Sequence, residues 1–257
     1  MQRDYKFSSV FMIQVISAVL IFLITLFLAG NTSDRGALVQ TGGNILLNII
    51  ITSLIIIFQF IIARGLIFNR MGSLGEYFDN INHLNFKAFL LCFLILFIPS
   101  IVVFILAAGV VVSIMFTLAS GGIGEAIKMG LGFLLIGGLF TLIYGALTNY
   151  QYFVVADNPY LVFGDLFKKT FKTGKDLFGK TVLTYVKWYV LPLIIFILIV
   201  YGIFSYGEGT LVFATMLVLA IAFILYVIIS STLVIGELSN NYLNYRSQTI
   251  SKDEKDY

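Results

Sequence analysis

Six apolar runs, each long enough to cross a bilayer, constrain this chain more than any other feature. They cover residues 8–30, 45–63, 88–119, 130–155, 181–206 and 211–235. A hydrocarbon core of about 30 Å needs about 20 apolar residues at a helical rise of about 1.5 Å each. Inside lipid every backbone N–H and C=O must be satisfied by the protein itself, so apolar runs of this length read as spanning helices. The segments between them are too short to bury an aqueous core of their own. Composition agrees, with 60% hydrophobic and 11% charged residues, against about half and about a quarter in an ordinary soluble domain. The fold class is therefore all-α, a polytopic membrane helix bundle of six transmembrane helices. It forms one membrane domain over 1–240, followed by a polar tail over 241–257.

Charge placement sets the expected threading. If the N-terminus is cytoplasmic and the six helices alternate, Arg3, Lys6, Arg64, Arg70, Lys87, Lys168, Lys169, Lys172, Lys175, Lys180, Lys187, Arg246, Lys252 and Lys255 lie inside, with only Arg35 and Lys128 outside. That distribution follows the positive-inside rule, so both termini are expected in the cytoplasm of a cell-membrane protein. The first run follows Arg3 and Lys6 as a signal peptide would, but it exceeds a cleavable apolar core and five more spans follow, so it reads as a retained anchor. Cys92 is alone and His83 is the one histidine. Neither an internal disulfide nor a zinc or haem site is expected, and no cofactor is called for.

Two of the three prolines, Pro99 and Pro192, each lie twelve residues after a lysine, Lys87 and Lys180, inside an apolar run. A proline lacks the amide hydrogen and clashes with the carbonyl four residues back, so each should kink its span. Placing Lys87 over Lys180 aligns the third and fifth spans without a gap. The two copies of the repeat would be 45–119 and 130–206, in one orientation, unlike the inverted repeats of many transporters. Chance alignment of apolar runs is the competing explanation.

Between spans four and five, Phe163, Leu166, Phe167, Phe171, Gly174, Leu177 and Phe178 recur at helical spacing, with Asp165, Lys168, Lys169, Lys172, Lys175 and Asp176 between them. This is the pattern of an amphipathic cytoplasmic elbow helix lying at the interface. Lys168, Lys169, Lys172, Lys175 and Lys180 are candidates for binding the membrane surface through anionic phospholipid head groups, each contributing about 1 kcal/mol before salt screening. Fixing topology is the simpler role for the same lysines. The segment between spans two and three carries a less basic elbow, with Leu74, Tyr77, Phe78, Ile81 and Leu84 on its apolar side.

Within the spans the polar residues are neutral: Gln14, Ser17, Asn48, Ser53, Gln59, Asn149, Gln151 and Ser230 to Thr232. Such groups commonly join helices by hydrogen bonds, and a permease for a charged solute would instead leave ionisable residues at mid-depth. Gly137, Thr141 and Gly145 recur every four residues, as do Gly109, Ser113 and Thr117, and both stripes read as helix-packing faces. Phosphate-loop, zinc-protease and serine-hydrolase motifs are absent, and the aromatic residues at span ends fit interfacial belts, so no nucleic acid is expected as a partner.

The stretch Val155-Ala156-Asp157-Asn158-Pro159, followed by a lysine-rich amphipathic segment and a span carrying Trp188, resembles a loosely defined group of uncharacterised bacterial polytopic membrane proteins. The resemblance implies an elbow before a kinked span and no assigned activity. Two functions follow as expectations. The first is a non-enzymatic accessory or interaction subunit of a cell-envelope complex for export, lipid handling or immunity, with a membrane-protein partner or a homo-oligomer. The second is a small permease for an apolar or amphiphilic solute, with a cavity between the proline-kinked spans three and five.

Overall fold

A computed structural model of the protein describes residues 5–30, 37–119, 122–206 and 209–253. Among these residues every regular element is helical: α1 (Phe7–Gly30), α2 (Ala37–Phe68), α3 (Leu74–Phe78), α4 (Phe86–Ala119), α5 (Ile123–Thr148), α6 (Gln151–Asp157), α7 (Phe163–Asp176), α8 (Phe178–Tyr185), α9 (Leu191–Tyr206) and α10 (Gly209–Asp253). Six stretches are long and apolar enough to cross a membrane: Phe7–Phe27, Ile45–Phe68, Phe86–Val112, Gly130–Asp157, Phe178–Ile203 and Val218–Thr249. The fourth span is α5 and α6 joined through a turn at Asn149 and Tyr150. The fifth is α8 and α9 joined through a π-helical turn, Val186–Val190, whose following residue Leu191 donates its N–H to the Val186 carbonyl.

The core lies at one end of the bundle. Val10 and Ile13 of α1, Phe60, Ile61 and Leu66 of α2, Leu91 and Ile95 of α4, Val154 and Val155 of α6, and Leu238 of α10 are all buried. Toward the opposite end the helices present their apolar side chains outward, as Phe27 (71% exposed), Phe104 (72%) and Leu142 (72%) do. No described residue of α9 is buried. Side chains of this kind are at home in lipid, where apolar exposure carries no hydration cost.

The packed end also gathers the polar elements. Lys6 donates its backbone N–H to the Arg70 carbonyl (2.9 Å), Arg64 Nη1 donates to the Ala156 carbonyl (2.9 Å), and Arg70 bonds Asn240. Helix α3 is held by a capping box, in which Ser73 Oγ accepts from the Glu76 N–H (3.4 Å) and Glu76 Oε2 accepts from the Ser73 N–H (3.2 Å). Asn85 joins the two elbows: its Oδ1 accepts the Ala88 N–H at the start of α4 (2.7 Å), and its Nδ2 donates to the Pro159 carbonyl (2.7 Å). The amphipathic pattern over 163–178 forms the 14-residue α7 and runs on into α8. Gly174 of α7 lies so close to Leu147 of α5 that a Cβ would overlap that residue's backbone carbonyl. Residues 241–253, expected as a polar tail, continue α10, and Tyr242 there is buried.

Both prolines of the proposed repeat free a carbonyl, and both carbonyls are satisfied in the same way. Four residues before Pro99, the Ile95 carbonyl accepts from Tyr144 Oη of the next span (3.0 Å). Four residues before Pro192, the Trp188 carbonyl accepts from Tyr226 Oη of the next span (2.8 Å). Neighbouring helices re-satisfying a freed backbone group is what makes proline tolerable in lipid. The local geometries differ: Pro99 sits inside an uninterrupted α4, whereas Pro192 follows the π-helical turn.

Candidate functional site

The neutral polar residues scattered through five spans converge. Gln14 and Ser17 of α1, Gln59 of α2, Asn149 and Tyr152 of the fourth span, Tyr185 and Tyr189 of the fifth, and Ser231 of α10 line one cavity of about 530 Å³. Apolar side chains, among them Phe58, Ile62, Phe153 and Leu238, complete its wall. Gln14 Oε1 accepts from Ser231 Oγ (3.0 Å) and also from Thr232 Oγ1. Gln14 stands seven residues into α1, about 10 Å along the axis, so the cavity begins in the packed half and reaches toward the middle of the bundle. Asn48 and Ser53, although polar and within a span, do not line it; Ser53 Oγ donates to the Ile49 carbonyl of its own helix (2.8 Å).

A second cavity, about 590 Å³, lies on the other side of the fourth span. Thr141, Ala146, Thr148, Gln151, Val182 and Val190 line it, with Leu96 from span three. Spans three and five, the two proline-bearing spans, both contribute to this cavity, together with span four. Asn149, Tyr152 and Tyr185 line both cavities and form their common wall. Tyr185 Oη donates to Asn149 Oδ1 there (3.2 Å). Asn149 Nδ2 and Gln151 Oε1 are shielded and have no hydrogen-bond partner among the described residues.

Charged groups meet at the packed end, outside both cavities. Glu237 of α10 accepts from Trp188 Nε1 (2.7 Å) and Lys187 Nζ (3.1 Å) through Oε2, and from Thr184 Oγ1 (3.3 Å) through Oε1. These bonds tie the π-helical turn to the sixth span. Nearby, Asp157 meets Arg246 (3.2 Å) and accepts from Tyr242 Oη (3.0 Å), beside a groove lined by Lys168, Lys169, Lys172 and Asp165. Lys168, Lys169, Lys172, Lys175 and Lys180 are all exposed, and Lys169 Nζ donates to Asn158 Oδ1 (2.7 Å). At α3, the hydrogen bond from Asn69 to Glu76 (2.6 Å) holds the Glu76 carboxyl below the usual carboxylate range, and burial pushes the Tyr77 hydroxyl up to about 12.

The two small-residue stripes are differently placed. A Cβ on Gly137 would meet Leu106 of α4 at 3.3 Å, whereas Gly109 and Gly145 face open space. Thr141 Oγ1 donates back to the Gly137 carbonyl (2.8 Å), and the Ser113 side chain lies outside the described residues. The close approaches within the chain occur elsewhere, at Gly174 against Leu147, Gly65 against the Tyr77 ring and Gly236 against the Tyr5 ring. None of these glycines belongs to a four-residue stripe, and only the apolar spacing of α7 hinted at Gly174. Among the described residues no three His, Cys, Asp or Glu side chains converge as a metal site requires. Comparison with protein-family models, curated proteins and solved structures gives no match.

Proposed function

We propose that this chain is a non-enzymatic integral membrane protein that takes an apolar or amphiphilic solute into the five-span cavity, as a small permease or lipid-handling protein does. The cavity itself carries the reading. Its volume of about 530 Å³ is that of a small-molecule site, and such sites are mainly apolar with a few placed polar groups. Among the described residues no charged side chain lines it, which suits a solute that crosses without a counter-charge. The lysine-bearing end is assigned to the cytoplasm by the positive-inside rule, which places both termini there and sets Lys168, Lys169, Lys172, Lys175 and Lys180 against anionic lipid head groups. We also propose that 45–119 and 130–206 are copies of one unit, supported by the matching proline and tyrosine bonds.

A second reading, an accessory subunit bound to another membrane protein or to its own copy, is favoured by the open faces at Gly109 and Gly145. The two are separated by reconstitution. Purified protein in liposomes should move a fluorescent amphiphile between leaflets or release it to an acceptor. Ser17→Phe, which fills the cavity, should slow that movement. If wild type and Ser17→Phe both match empty liposomes while the protein co-purifies with a stoichiometric partner, the accessory reading replaces the first.

A further inference from the structure

We propose that the groove between α7 and the end of α10 binds a phosphate monoester, carried either by a lipid head or by a soluble ester of a small alcohol. The inference rests on the reading that the elbow lysines meet anionic groups, and it narrows five equivalent charges to one built site. Asp165, Lys168, Lys169 and Lys172 follow one another at i, i+3, i+4 and i+7 along α7, and so share one helix face. Tyr242, Tyr245, Arg246 and Thr249 repeat that spacing on α10. Both faces line one groove of about 590 Å³, which Asp157 and Asn158 at the end of α6 complete. At the last residue of α7, Asp176 Oδ2 accepts from Tyr245 Oη (2.8 Å), which joins the two helices.

Charge selects the ligand. Three lysines and one arginine line the groove against two carboxylates, an excess of two positive charges. Asp157 is met by Arg246 (3.2 Å) and by Tyr242 Oη (3.0 Å). Lys169 Nζ donates to the neutral Asn158 side chain (2.7 Å), so its charge faces no carboxylate there. Lys168 and Lys172 are exposed and have no hydrogen-bond or ion-pair partner among the described residues. They stand one helical turn apart, about 6 Å along the axis, so their two ammonium groups can close on one set of oxygens. A phosphate monoester brings about 1.5 to 2 negative charges at neutral pH and three strong acceptor oxygens, which matches the excess. A carboxylate or a phosphodiester brings a single charge. The groove volume lies within the range of about 300–1,000 Å³ typical of small-molecule sites, so an organic group fits beside the phosphate. Lys175 and Lys180 are also exposed but do not line the groove.

Titration calorimetry of the full-length protein in an uncharged detergent tests this, at about 0.15 M salt, where charges more than about 8 Å apart are largely screened. The probes are dihexanoyl phosphatidic acid, dihexanoyl phosphatidylglycerol, whose phosphate is a singly charged diester, and glycerol phosphate. Phosphatidic acid should saturate one site and bind about tenfold or more tightly than phosphatidylglycerol. Lys168→Gln with Lys172→Gln should weaken that binding by about tenfold or more. Lys175→Gln with Lys180→Gln removes the same charge outside the groove and should change it by at most about twofold. The ligand-free melting temperature of the first pair should match wild type; if that pair folds poorly, Lys172→Gln alone should still weaken binding by about threefold or more. Glycerol phosphate binding with the same variant pattern supports the site with a soluble ester as its ligand, and binding of phosphatidic acid alone supports it with a lipid head. Equal affinity for the two lipids, or equal weakening by the two variant pairs, overturns the site and leaves a diffuse attraction of the lysines to anionic lipid standing. Failure of every probe to bind wild type overturns both.

Discussion

Replacing Tyr226 with Phe removes one oxygen and leaves the ring where it stacks on Phe223, 6.4 Å between centroids. What is lost is the 2.8 Å bond from Tyr226 Oη to the Trp188 carbonyl. That carbonyl is unusual because the residue four positions on is Pro192, which has no N–H to offer it. Hydrogen bonds between membrane helices average about 0.6 kcal/mol and reach about 1.7, while leaving a buried acceptor unmet costs about 1–3 kcal/mol. Tyr226→Phe should therefore destabilise the protein by about 1–1.5 kcal/mol, toward the upper part of the membrane range. Pro192→Ala restores an amide within reach of the Trp188 carbonyl, and in that background the Tyr226→Phe cost should shrink toward zero. The pair should thus couple by about 1 kcal/mol, above the additivity error of about 0.3–0.5 kcal/mol for independent sites. The measurement is a double-mutant cycle from reversible unfolding in mixed micelles, followed by helical circular dichroism. Tyr144→Phe with Pro99→Ala should behave alike, since Tyr144 Oη bonds the Ile95 carbonyl at 3.0 Å. If Tyr226→Phe costs as much with alanine at position 192 as with proline, the tyrosine is not answering the proline and the reasoning fails.

Gly174→Ala should cost about 1–3 kcal/mol through overpacking, because the added methyl meets the backbone carbonyl of Leu147, which cannot swing aside. Gly145→Ala, facing open space, should instead be neutral or stabilising by up to about 1 kcal/mol through helix propensity, and the same unfolding assay compares the two. The folded Glu76 pKa lies below its unfolded value, so its contribution to the cap of α3 is present above the ordinary carboxylate range and disappears as pH falls through the folded pKa. Amide exchange in residues 73–78, corrected for intrinsic pH dependence, should therefore lose protection only in acid, and a glutamine at 76 should abolish that dependence. Changing Lys168, Lys169, Lys172 and Lys175 to Gln should lower the ratio of anionic to zwitterionic lipid that co-purifies with the protein, most clearly at low salt. An unchanged ratio would leave those lysines with topology alone.

How much of this was legible in the chain follows from what each feature depends on. Helix α7 could be read because its apolar and charged residues alternate with helical period, and the structure places Leu166, Gly174 and Leu177 of that stripe in buried positions. The spans themselves carry no such period. A helix that is apolar on every side gives no indication of which face meets a neighbour, so Gln14, Gln59, Asn149 and Ser231 read as groups that join helices by hydrogen bonds, with no sign that they share one cavity. The small-residue stripes are limited in the same way: spacing puts Gly109 and Gly145 on helix faces, but it does not say whether another helix of the chain lies opposite them.

The sequence by itself determined the number of spanning helices, the end at which the lysines collect and the two positions where a backbone carbonyl loses its amide. These are local quantities, set by run length, charge and the covalent form of proline. Tertiary structure alone decided that Tyr144 and Tyr226 answer those prolines, and that Asn149, Tyr152 and Tyr185 come together to line two cavities. Both depend on how each helix is rotated about its axis and which neighbour it faces. In lipid that choice is made by packing and by the need to satisfy every polar group, not by hydrophobicity, which is nearly uniform around each span.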